Sequence, residues 1–175
     1  MDHVKTDAGP GSAEHTAQEL IRLEVSLPGE REPKVLELPA GDGLLEAVRQ
    51  ALGLSPDILI FPFDGDEPLT QAPPGRKALR LAAHKARQIT VMVNYEHLTK
   101  QEDFPPSKTV FKVLQWAVSK KAYGLDPASA ARANLILSGD DQPLPRDASI
   151  GSFVTPGEHV LTVDLTLKDF TNGRR

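Results

Sequence analysis

Few residues of this chain have the types and spacing that chemistry demands. The five histidines, His3, His15, His84, His97 and His159, lack the short separations that bring imidazoles onto one metal, and no cysteine is present to complete a site. The lack of cysteine also removes disulfides and thiolate nucleophiles. Two acidic stretches, Asp64-Gly65-Asp66-Glu67 and Gly139-Asp140-Asp141, carry the charge of calcium loops. They lack the regular oxygen positions and the closing glutamate, so they read as solvated turns. No serine stands in a strained elbow, and no glycine loop is built to cradle phosphate. Catalysis would need an activated nucleophile or paired carboxylates in a cleft, so the chain reads as non-enzymatic, with no metal and no cofactor. What remains is the end, Thr171-Asn172-Gly173-Arg174-Arg175, a polar tail with one glycine before two arginines. Taken alone it is a frayed terminus.

The elements that could give that tail a purpose must fit a chain of 175 residues, 39% hydrophobic and 25% charged. That size holds one ordinary domain or two small ones. Fifteen prolines and thirteen glycines recur between apolar runs, which favours short elements joined by turns. The net charge is -4 and the basic residues are scattered among acidic ones, so no stripe exists to neutralise a phosphate backbone and nucleic acid is not an expected partner. No apolar run approaches the roughly 18 residues of a membrane span, and the N-terminal stretch lacks the apolar middle of a signal peptide. A cytoplasmic location with no membrane partner is expected.

Residues 1–17 are polar and without apolar periodicity, and are expected to stay disordered. From Ile21 to Leu27 apolar and polar residues alternate as in a half-buried strand, and Lys34–Leu38 returns beside it. Leu44, Leu45, Val48 and Leu52 line one helix face, with Asp42 placed to cap it and Gly53 to end it. Ile58–Phe63 predicts a strand whose Pro62 suits a sheet edge, and Lys77–Ala82 predicts a closing strand.

The same order then repeats, and internal repetition outweighs any single local assignment. Ile89–Tyr95 alternates, Lys100–Phe104 returns, and Pro105-Pro106-Ser107 opens a helix with Val110, Val113, Leu114, Ala117 and Val118 on its apolar face. Ala133–Leu137 and His159–Leu167 predict the last strands. The turns echo as well, Gly65-Asp66-Glu67-Pro68-Leu69 against Gly139-Asp140-Asp141-Gln142-Pro143-Leu144. Two units are expected, residues 18–86 and 87–170, with a tail at 171–175.

A hairpin, one helix across it and strands completing a mixed sheet is the β-grasp order, and the second unit resembles ubiquitin. Asn134-Leu135-Ile136-Leu137-Ser138-Gly139 is similar to ubiquitin's strand and glycine turn after the helix. Leu144–Phe153 is similar to its later turn with an aromatic, and Pro156–Leu165 to its final strand. The expected fold is α+β, two tandem β-grasp (ubiquitin-like) domains with a disordered N-terminal tail and a flexible C-terminal tail. Among two-domain modifiers the chain looks most like the ubiquitin-like protein of bacterial Bil antiphage operons.

That resemblance implies a function carried by the C-terminal carboxylate. An activating enzyme, which binds and uses the ATP, would adenylate it, a conjugating enzyme would pass it to a target amine, and a JAB-type protease would process and deconjugate it. Gly173 would be the mature end, since a residue without Cβ suits the narrow channel where the carboxylate is activated. Arg174 and Arg175 would be the removed extension, and a phage structural protein the implied target. Ubiquitin ends in two glycines, whereas here a single one follows Asn172 and the aromatic Phe170, so a eukaryotic activating enzyme is not expected to accept it. Ile136 matches one member of ubiquitin's apolar recognition patch, while Thr162 and Asp164 replace others. Trp116, one position off the helix stripe, reads equally as a core flank or as a contact to the first unit or a partner. With Ile136 and Phe170 it completes the candidate partner-binding residues. The competing reading is a tandem β-grasp binding module or scaffold that is never attached covalently.

Overall fold

The computed structural model describes residues 19–168. The expected tails at residues 1–17 and 171–175 lie outside that range. The described chain runs β1 (Leu20–Ser26), β2 (Lys34–Pro39), α1 (Leu44–Leu52), β3 (Leu59–Pro62), β4 (Ala78–His84), β5 (Ile89–Tyr95), β6 (Leu98–Phe104), α2 (Val110–Val118), α3 (Pro127–Arg132), β7 (Asn134–Leu137), a 3-10 turn (Ile150–Phe153) and β8 (Val160–Thr166). These strands form two four-stranded sheets, ordered β2-β1-β4-β3 and β6-β5-β8-β7. In each, the opening hairpin is antiparallel, the last strand joins the first in parallel, and the third strand closes the edge antiparallel. Two β-grasp units therefore stand in tandem, and Pro62 does lie on an edge strand, where its missing N–H costs no ladder bond.

Alternation fixes which face is buried. Ile21, Leu23 and Val25 of β1 point under α1 with Leu44, Leu45 and Val48, while Arg22 and Glu24 stay on the outer face. In the second unit Val91 and Val93 meet Val110, Val113, Leu114 and Ala117 of α2, with Leu161, Val163 and Leu165 beside them. Each helix presents one apolar stripe to one sheet face, as amphipathic periodicity requires.

Local capping differs from the sequence expectation at both helices. The N-cap of α1 is Gly43 with no side-chain capping bond, and Asp42 sits one residue too early to serve. The N-cap of α2 is Thr109, whose hydroxyl accepts from the Lys112 N–H, and Pro105–Ser107 form a turn ahead of it. The short helix α3 was not foreseen. Its signal is Asp126-Pro127, an N-cap whose carboxylate accepts the Ser129 N–H and a proline at the first helical position.

The second unit is further tied by Tyr123, whose hydroxyl reaches the carbonyls of Val93 at 2.7 Å and Leu98 at 3.0 Å. Its ring packs edge-on against Tyr95, centroids 5.2 Å apart. Tyr123→Phe keeps that packing and removes the hydroxyl from both carbonyls. We expect it to lower stability by about 1 kcal/mol in urea unfolding, with an unchanged slope.

Candidate functional site

The strand that leads to the C-terminus is β8, paired on one side with β5 and on the other with β7. Its exit is held by packing: Leu167 lies against the second core, and the Lys168 N–H donates to the Thr166 hydroxyl at 3.1 Å. Phe170, Gly173, Arg174 and Arg175 lie outside the described residues. Direction matters more than contact here. Because β8 runs parallel to β5, it starts beside the linker from the first unit, with Val160 opposite Thr90, and heads away from it. Seven residues carry the strand about 20 Å from that pole.

On the outer face of the second sheet, Thr99 donates to Asn94 at 2.6 Å, Asn94 to Asp164 at 3.0 Å, and Ser138 to Asp164 at 3.0 Å. The chain of bonds crosses β6, β5 and β8 and ends just beyond β7. Ile136 stands opposite Asp164 on this face, half-buried and bridged to Pro143. This face is thus polar at its centre with one aliphatic neighbour. Trp116 is elsewhere, half-buried against the second core and edge-on to Phe104 with centroids 5.9 Å apart. The structure does not bring Trp116 and Ile136 together; a helix flank and a sheet face separate them.

The linker Ala82–Gln88 is short and leaves the units little slack, and they are in contact. Register puts Phe61, Ala82 and His84 on the outer face of the first sheet, yet they are 0%, 2% and 2% exposed. Phe61 belongs to neither core, and the 3-10 turn of the second unit packs against β4, the strand Phe61 pairs with. The acidic turn after β3, expected to be merely solvated, is the clasp. The Asp64 N–H donates to the Ser107 carbonyl at 3.0 Å, the Ser107 hydroxyl to the Gly65 carbonyl at 2.7 Å, and the Thr109 N–H to the Asp64 carboxylate at 3.3 Å. Lys108 reaches the Asp64 carbonyl at 3.1 Å and the Asp66 carboxylate at 2.8 Å, which holds the Asp66 carboxyl below its usual range. Asp64 adopts φ of +58°, a left-handed conformation that the clasp bonds offset. The echo turn also crosses, with Asp140 facing Arg31 at 3.6 Å. At the centre of the seam Gly151 leaves no room for a side chain: a Cβ there would lie 2.8 Å from Cβ of Pro106 and 3.2 Å from Cδ2 of His84.

Clefts among the described residues of the first unit include one of about 250 Å³ near Asp42 and Arg76 and one of about 470 Å³ near Phe63 and Arg80. Neither brings a nucleophile beside a base. Among the described residues no group of three acidic, histidine or cysteine side chains is gathered to hold a metal, and no helix is long and apolar enough to cross a membrane.

With this geometry the family comparison is specific in its extent. Residues 90–168 match the family model for BilA ubiquitin-like domain 2, a span that runs from the start of β5 past the end of β8. No curated protein matches the chain.

Proposed function

We propose that this chain, whose second unit is a ubiquitin-like domain of the BilA type, is a protein modifier attached to target amines through the carboxylate of Gly173. The match over residues 90–168 carries the reading, because it makes the unit ahead of the tail ubiquitin-like. The direction of β8 supports it. The C-terminal end of β8 lies at the pole of the second unit away from the linker.

The chemistry belongs to the partners. An activating enzyme would join the Gly173 carboxylate to the α-phosphate of ATP with release of pyrophosphate, then exchange AMP for its own cysteine thiol. A conjugating enzyme would accept the thioester, and a target amine would displace the thiol to form an amide. A JAB-type protease would first remove Arg174 and Arg175 and later cleave conjugates. Bacterial antiphage defence, with a phage structural protein as target, is the setting this proposal adopts, and a cytoplasmic location follows from it.

The test is to express the chain with its cognate enzymes and look for a covalent shift on targets. Gly173→Phe should abolish conjugates, because a side chain at the reacting carboxylate blocks the activation channel. Mass spectrometry of the mature chain should find it ending at Gly173. Undiminished conjugation by Gly173→Phe would sink the proposal, and intact function after removal of residues 171–175 would favour a non-covalent binding module.

A further inference from the structure

The contact between the units has a titratable group at its centre. His84 is 2% exposed and adjoins Gly151 of the second unit. Its Nδ1 accepts the Ala86 N–H at 2.9 Å, so the neutral ring carries its proton on Nε2. That nitrogen is the buried side-chain polar atom with no hydrogen-bond partner among the described residues. A second proton must go to Nδ1, where it displaces the Ala86 N–H and leaves a buried cation.

We propose that the seam is an acid-released latch: neutral His84 lets the second unit cover the outer face of the first sheet, and its protonation undocks the units and uncovers Phe61 and Ala82. This holds independently of the conjugation reading. The groups around His84 offer a cation no relief. The 3-10 turn Ile150–Phe153 has no ionisable side chain, nor has β3. Lys108, from the Pro105–Thr109 turn, is a cation already engaged by Asp66. In the linker, Lys85 pairs with Asp57 and Arg87 with Glu67. His159 adds repulsion. Burial holds the His84 imidazole below its ordinary value of 6.5, against an opposing hydrogen bond with Ala86 and with a smaller push from His159. The docked form therefore binds this proton less well than the undocked form. Docking is complete above the ordinary value and is lost as the pH falls through it toward the depressed one.

The full chain lacks cysteine, so cysteines introduced at the exposed positions Glu46 and Lys120 can carry spin labels without interference. Dipolar distance measurement at about pH 7.5 should give one narrow distribution, and at about pH 5 a second, longer one, while far-UV circular dichroism stays constant. One linked proton changes the docking constant by no more than about tenfold per pH unit, which sets the steepness expected. His84→Gln and His84→Leu, which cannot titrate, should remove the pH dependence. Gly151→Val should broaden the distribution at neutral pH. A parent distribution that does not change with pH, acid opening that persists in both His84 variants, or a narrow distance in Gly151→Val each overturns the latch.

Discussion

Phe61→Ala is expected to uncouple the two units while leaving each folded. Truncating a fully buried phenylalanine costs about 3–5 kcal/mol in a core that cannot separate. Here the ring is 0% exposed yet lies outside the first core, on the outer sheet face where the second unit packs against β4. Once the units part, that loss is no longer felt, so the substitution weakens docking rather than the first fold. Its neighbour Ile60 is also 0% exposed, but it points into the first core beside Leu23 and Leu81. Ile60→Ala should therefore lower the stability of the first unit itself by about 2–5 kcal/mol. Backbone ¹⁵N relaxation separates the two outcomes. The parent should tumble as one body, and Phe61→Ala should give two shorter correlation times with both sets of amide shifts retained. A single unchanged correlation time in Phe61→Ala would mean that the clasp at Asp64 and Lys108 holds the units without the apolar contact.

The β-grasp order was legible because each first strand alternates strictly. Ile21, Leu23 and Val25 bury while Arg22 and Glu24 do not, and Ile89, Val91 and Val93 repeat the pattern. Two faces with different solvents leave that signature. That the units touch follows from the short linker, but the residues of the seam were not legible, because their signal is the failure of alternation. Leu59-Ile60-Phe61-Pro62 is an unbroken apolar run, and β4 is buried at every position from Leu81 to His84. A strand covered on both faces reads this way. The same letters would serve a strand that merely ends in a turn, so the run does not reveal what lies above it. The clasp was hidden for a different reason. Asp64, Gly65 and Asp66 look like any polar turn, and only their meeting with Ser107, Lys108 and Thr109, over 40 residues away, gives them partners. Of the candidate residues, Ile136 stands on the outer sheet face and Trp116 on the core flank, each at a position local periodicity could indicate. Gly173, Arg174 and Phe170 rest on the resemblance and lie beyond the described strand.

Leu23→Ala should split unfolding into two steps. Leu23 is 0% exposed at the centre of the first sheet, paired with Leu36 on one side and Leu79 on the other. Its truncation should cost the first unit about 2–5 kcal/mol, because flanking strands in a four-stranded sheet cannot collapse into the space without losing register. The chain has one tryptophan, Trp116, packed on Phe104 in the second unit. Fluorescence therefore reports the second unit alone, whereas far-UV circular dichroism reports both. In the parent the two probes should give close midpoints in urea. In Leu23→Ala the dichroism should begin to fall at lower urea, while the fluorescence midpoint moves less. The size of that smaller movement has a physical meaning. When the first unit unfolds, Gly151 loses its contact with His84 and the clasp at Lys108 loses Asp64 and Asp66, so the second unit loses whatever docking contributed to it. No movement would mean that the seam adds nothing to the stability of the second unit. Movement equal to that of the dichroism would mean that the two sheets fold as a single cooperative body, joined through Phe61 and His84.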